Sequence, residues 1–200
     1  MKGSQDMRLL IATHNRGKKT EYASLLDGLG LELTTLAELG VREVVEENGS
    51  TYAENALLKA RSYAALTGLL TLADDSGLEV DHLEGKPGIY SSRYAGEGST
   101  DEKNIQKLLE RLEGIPAEKR GAAFRCVLVL YRPDGSYESF EGRWRGRIIE
   151  RPVGTHGFGY DPVFFLSQGV TVAQLDPAIK NSLSHRAQAF QKLKERLRQG

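Results

Sequence analysis

The feature that most constrains the fold lies near the start of the chain. Leu9-Leu10-Ile11-Ala12 is a continuous apolar run, as expected for a strand buried on both faces. It stops at once in a polar turn, Thr13-His14-Asn15-Arg16-Gly17-Lys18-Lys19. Tyr22, Leu25, Leu26 and Leu29 then recur at helical spacing, with Gly28 and Gly30 to end the helix. A buried strand, a polar turn and an amphipathic helix in direct succession are the usual opening of an α/β protein.

The rest of the chain extends that pattern and then alters it. Thr51-x-x-Glu54 reads as a capping box for a helix to about Thr67, with Ala53, Ala56, Leu57, Ala60 and Ala64 on one face and Gly68 as its stop. Leu70-Thr71-Leu72-Ala73 reads as a second buried strand whose end carries Asp74-Asp75-Ser76-Gly77. A Gly- and Pro-rich loop covers Glu84–Ser99, and Ser99-x-x-Glu102 caps a third helix with Ile105, Leu108, Leu109 and Leu112 inward. Ala122–Tyr131 and Tyr137–Trp144 are strand-like and joined by Pro133-Asp134-Gly135, a hairpin signal. The loop Gly154–Pro162 leads into the apolar run Val163–Leu166, and a last helix is expected from about Leu183 to Leu197, with Leu183, Ala187, Phe190, Leu193 and Leu197 inward. Early alternation followed by a hairpin predicts α/β architecture with a mixed sheet and helices packed on it. No linker divides the 200 residues, so one domain spanning 1–200 is expected.

Composition narrows the function classes. Lys+Arg and Asp+Glu are both 27, which argues against a general nucleic-acid or membrane-surface binder but not against a local phosphate site. The longest apolar stretches, Met7–Ala12 and Cys126–Tyr131, are too short to cross a bilayer, and Met1–Arg8 lacks the apolar core of a signal peptide. The single cysteine, Cys126, cannot form an internal disulfide. A soluble protein of the cytoplasm is the expectation.

Five places carry residues suited to chemistry. The first turn departs from a phosphate-binding P-loop at Ala12 and Lys19, yet Thr13, Asn15 and Gly17 offer hydrogen bonds and close backbone approach, and Lys18 offers charge. Asp74 and Asp75 are hard oxygen donors suited to Mg²⁺, although neighbours on a strand point to opposite faces. Among Glu43, Glu46, Glu47 and Glu54, the last is occupied by capping, leaving Glu46 or Glu47 as the freer ligand; Lys59 reads by default as an exposed helix charge. Phe158-Gly159-Tyr160-Asp161-Pro162 sets aromatics and a carboxylate in a flexible loop, fit either to stack on a nucleobase or to tuck into the core. Ser182 or Ser184 can cap the last helix, and Arg186 beside that helix start opposes the dipole, which hints at an anionic or carbonyl partner. His14, His82 and His156 lack ligand spacing for zinc.

Taken in order, Ala12–Lys18, Ala73–Leu78, Pro87–Tyr94, Phe158–Pro162 and Ser184-His185-Arg186 resemble the inosine/xanthosine triphosphate pyrophosphatase family, over Leu9 to about Leu197. Each motif alone is weak; five in sequence are specific. The resemblance implies a long twisted mixed β-sheet flanked by helices, two lobes with an active-site cleft, and a homodimer. It implies Mg²⁺-dependent hydrolysis of ITP, dITP or XTP to the monophosphate and pyrophosphate, with no nucleic-acid or membrane partner. It makes Asp75 the general base and a metal ligand with Glu47, Glu46 being the competitor by spacing. Substrate contacts fall on Thr13, His14, Asn15, Arg16, Gly17, Lys18, Lys59 and Ser76, and on Phe158, Gly159, Tyr160, Asp161, Lys180, His185 and Arg186.

Overall fold

The computed structural model describes residues 8–199, so the polar start expected at 1–6, and Met7, lie outside the described residues. Six strands form one sheet in the order β2-β1-β3-β4-β5-β6. They are β1 (Arg8–Ile11), β2 (Glu32–Thr35), β3 (Leu70–Val80), β4 (Gly121–Tyr131), β5 (Tyr137–Ile148) and β6 (Phe164–Phe165). β1 runs parallel to both β2 and β3, whereas β5 and β6 are antiparallel, so the sheet is mixed as the sequence predicts. The helices are α1 (Arg16–Leu26), α2 (Tyr52–Thr67), α3 (Asp101–Arg111), α4 (Pro177–Leu183) and α5 (His185–Gln199). The described residues contain no helix long and apolar enough to cross a membrane.

The chain divides into two compact units. Among the described residues, one comprises 8–75, 126–141 and 189–199; the other comprises 76–125 and 142–188. The first has a core of Leu10, Ala12, Leu36, Ala56, Ala60, Tyr63, Ala73 and Val129. Tyr22 of α1 meets Phe190 of α5 within it, ring centroids 4.8 Å apart. The second unit is organised around Leu78, Val80, Leu108, Phe124, Trp144, Phe164 and Val172.

Several expectations shift for local physical reasons. α1 begins at Arg16, inside the expected turn, because the Asn15 side chain accepts the Lys18 N–H and caps it there. On α2 the buried face is Tyr52, Asn55, Ala56, Ala60, Tyr63 and Ala64, so Ala53 is exposed rather than inward. Thr51 accepts the Glu54 N–H as expected, but the Glu54 carboxylate turns to Ser50. α3 is capped by Thr100, which accepts from Lys103, and not by Ser99, whose hydroxyl donates to the Ser92 carbonyl. β3 does not end at Ala73: it runs on to Val80, so Asp74 and Asp75 sit inside a buried strand, not at its end. The expected last helix is α5, starting at His185 after Ser184, whose hydroxyl accepts the Ala187 N–H; Leu183 is exposed, not inward, and ends the separate short helix α4, which was not expected. β2 carries no alternation strong enough to announce it.

Candidate functional site

The first unit assembles carboxylates and lysines around β3. Thr13 accepts the Asn15 N–H and Asn15 accepts that of Lys18, which sets Lys18 in the first turn of α1. Its ammonium lies 2.6 Å from Asp74 Oδ2. Arg16 opens the helix, but its side chain lies outside what the structure describes. Lys59 is not the solvated charge that its helix position suggests, because its ammonium lies 2.5 Å from Glu47 Oε1 with both side chains mostly covered. Glu46 is exposed and Glu47 half-buried, so the geometry places Glu47 in the cluster.

Asn55 is a member that the sequence reading missed. Completely buried on α2, it donates from Nδ2 to Asp75 Oδ2 at 3.0 Å and accepts the Gly49 N–H at 2.8 Å. A Cβ at Gly49 would lie 2.7 Å from Asn55 Oδ1, so only glycine permits this approach. The one available signal was an amide on an otherwise apolar helix face. Tyr63, one turn beyond Lys59, was also missed. Its hydroxyl donates to the Glu43 carbonyl at 2.9 Å and accepts the Val45 N–H, while His14 Nε2 lies 3.3 Å from it and 3.2 Å from the same carbonyl oxygen. These bonds fix the segment that carries Glu47, and they occupy His14 in positioning.

Electrostatics separates the acids. Burial, reinforced by the negative charge of Glu47, pushes the Asp75 carboxyl up to about 6, against the pull of Lys59, Asn55 and Lys18. Burial alone would lower the Lys59 ammonium, but Asp74, Glu47 and Asp75 together hold it above its ordinary value. A carboxyl poised near neutral pH can take a proton from water. The donor set is hard oxygen, and Asp75 and Glu47 repel each other in a way that a dication would relieve. No group of three or more His, Cys, Asp or Glu is gathered as a metal cage among the described residues. Carboxylate oxygens are the kind of donor that Mg²⁺ takes, one or two at a time, with water and phosphate oxygens completing its shell.

The second unit gathers the aromatic loop and the start of α5. Asp161 is buried; its Oδ2 accepts the Phe158 N–H at 3.0 Å and the Lys180 ammonium at 2.6 Å. Burial raises the Asp161 carboxyl, with the Lys180 charge opposing. Gly157 has φ +81°, and a Cβ there would lie 2.0 Å from Asp161 Oδ2, so the tight loop requires glycine. Lys180 Nζ and Arg186 Cζ lie 4.7 and 5.1 Å from the Phe158 ring centroid. Arg186 is buried and donates to Ser76 Oγ at 3.1 Å, which accounts for a cation at a helix start. Phe158 is half-buried, whereas Tyr160 belongs to the apolar core with its hydroxyl donating to the Ser91 carbonyl at 2.8 Å. His185 is buried with its ring stacked on Phe124. The Gly159 N–H donates to Asp101 Oδ2 at 2.6 Å, a contact from α3 that the sequence reading also missed.

A sequence model of the Ham1 family matches residues 9–196. The chain belongs to the Ham1 family. It is 51% identical over 191 residues to a dITP/XTP pyrophosphatase of Geobacter sulfurreducens, covering 95% of this chain and 96% of that one. The corresponding protein of Escherichia coli K12, also a dITP/XTP pyrophosphatase, is 50% identical over 196 residues, with 96% and 99% covered. Among solved structures, a HAM1 protein from Coxiella burnetii superposes with a TM-score of 0.88 at 42% identity, over 97% of this chain and all of that one. The Staphylococcus aureus Ham1 protein gives 0.86 at 40% identity, with 96% and 98% covered. Every candidate residue of this Ham1-family chain, from Thr13 to Arg186, lies inside the family match.

Proposed function

We propose that this chain hydrolyses non-standard purine nucleoside triphosphates (ITP, dITP and XTP) to the monophosphate and pyrophosphate, so clearing them from the nucleotide pool. The observation that carries the reading is Asp75. It is a buried carboxyl held near neutrality by its surroundings, with two lysines and a second carboxylate at hand. Relatives at about half identity are named dITP/XTP pyrophosphatases, which supports the reading.

Water attacks the α-phosphorus, its proton passes to Asp75, and the bond from that phosphorus to the leaving pyrophosphate breaks. Asn55 holds the Asp75 oxygen in place. Lys18 and Lys59 offset charge on the pyrophosphate, sharing it with their carboxylate partners. Asp75 and Glu47 would hold Mg²⁺, which when bound supplies neutralisation of the triphosphate. Phe158 provides a stacking face, and Arg186 and Lys180 provide donors for a 6-oxo group. The resemblance adds a homodimer in the cytoplasm to the same proposal.

The test is a panel of ITP, dITP, XTP, GTP and ATP with Mg²⁺, reading pyrophosphate and orthophosphate separately, run also in ¹⁸O-water. Pyrophosphate release favouring the 6-oxo, non-standard bases, with label in the monophosphate, is expected. Orthophosphate as first product, or equal rates on ATP and ITP, would overturn the reading.

A further inference from the structure

We infer that Asp101 is a positioning residue for nucleobase binding, acting from α3 through the backbone of the Phe158 loop; this rests on the assignment of that loop to the base. At the tip of the loop two successive N–H groups, those of Phe158 and Gly159, are each taken by a carboxylate oxygen. Phe158 is taken by Asp161, from within the loop, at 3.0 Å. Gly159 is taken by Asp101, 58 residues away in sequence, at 2.6 Å. The base of the loop is secured separately: Val153 N–H donates to the Pro162 carbonyl, and Thr155 and His156 both donate to the Ala173 carbonyl. The tip itself carries Gly157 at φ +81° and Gly159 at φ +60°, on either side of Phe158. Two glycines flanking an aromatic leave its backbone with more conformational freedom than any other residue pair would. A tether on the second glycine therefore decides how much of that freedom survives before a base arrives.

Asp101 is suited to the task by its own anchorage. It is the first residue of α3, capped by Thr100, so its backbone is fixed and its negative charge faces the favourable end of the helix dipole. A helix acid of this kind needs no partner beyond the dipole. The charge-assisted hydrogen bond to Gly159 goes further, joining α3 to the loop. The same loop backbone carries the ring against which Lys180 and Arg186 are set at 4.7 and 5.1 Å, so a drifting tip would misplace the stacking face relative to both donors. Order imposed before binding is ordering that the substrate does not have to supply, and it is read in affinity rather than in the chemical step.

The experiment is steady-state pyrophosphate release from ITP by the full chain. It compares Asp101→Ala, Asp101→Ser and Asp101→Asn with Phe158→Ala and with the Asp101→Ala/Phe158→Ala double variant. A charged hydrogen bond to a partly ordered tip leads us to expect KM for ITP to rise about tenfold in Asp101→Ala and Asp101→Ser, with kcat within about twofold. Asp101→Asn, which keeps an acceptor oxygen, should return KM to within about threefold of the parent. In the Phe158→Ala background, Asp101→Ala should add less than about twofold, because the ring that it positions is gone. The proposal is overturned if Asp101→Ala and Asp101→Ser leave KM unchanged while Phe158→Ala raises it. It is equally overturned if Asp101→Ala lowers only thermal stability, or if its effect persists undiminished without Phe158. If Phe158→Ala itself leaves KM unchanged, the assignment of the loop to the base fails first and takes the positioning role with it.

Discussion

Asp75→Asn should lower activity sharply and, in the metal-free protein, raise stability at alkaline pH. The magnitude follows from the shift. The folded carboxyl lies at about 6 where the ordinary value is 3.8, and a difference of roughly 2 units is worth about 3 kcal/mol as an upper bound. The direction follows from proton binding. A carboxyl whose folded pKa is raised binds more protons folded than unfolded, so its contribution is intact below about pH 4 and is lost as pH climbs through about 6. Asparagine has no proton to lose, and it keeps an acceptor oxygen for Asn55. In EDTA at pH 8 the variant should therefore melt about 5–10 °C higher than the parent, and the gap should close towards pH 4.5. The same variant should lose about 10²–10⁴ in kcat, since its general base is gone. Thermal unfolding followed from pH 4.5 to 8.5, with activity measured in parallel, checks both halves. A melting difference that is the same at both ends of the range would refute the buried, raised Asp75 from which the base role is argued.

Gly157→Ala should raise KM for ITP severalfold or more, because a methyl there meets Asp161 Oδ2 and the backbone φ is one that alanine resists; steady-state kinetics and melting separate the two effects. Lys180→Met removes the cation from the buried Asp161 and should cost about 3–5 kcal/mol at pH 8, and less as the pH is lowered, because burial already raises the stranded carboxyl; urea unfolding across a pH series reads this. Arg186→Ala should lower kcat/KM for ITP far more than for ATP, since its guanidinium suits an oxo group and not an amino group; an unchanged ITP:ATP ratio would remove it from base selection.

What could be read from sequence divides along a physical line. Strand, turn and helix at the start were legible because apolar runs and periodicities are local, as were the Thr51 cap and the Gly68 stop. The adjacent hydroxyls Ser99 and Thr100 offer the same chemistry to the start of α3, and only backbone geometry selects the second. Asp74 and Asp75 look like the end of a strand because two carboxylates rarely lie inside one. They do so here because Lys18 and Asn55, 56 and 20 residues away in sequence, meet them. Such partners leave no periodic trace. The same holds for Asp101 and Gly159. The candidate residues themselves were legible as an ordered set of motifs; their partners were not.

The two aspartates of β3 are neighbours in sequence and nearly equally buried, yet the fold gives them different tasks. Their cluster holds three carboxylates, Asp74, Asp75 and Glu47, against two ammonium groups, Lys18 and Lys59. Lys18 lies on Asp74 and Lys59 on Glu47, and both lysines also pull on Asp75. The amide of Asn55 meets Asp75 there, a donor without charge. Lys59 and Lys18 draw the carboxyl down, but burial outweighs them. An amide orients the oxygen while leaving burial to raise its proton affinity to about 6. Pleating sends Asp74 and Asp75 to opposite faces, and the burial that raises Asp75 to about 6 suits that carboxyl to the proposed role of taking a proton from water near neutral pH.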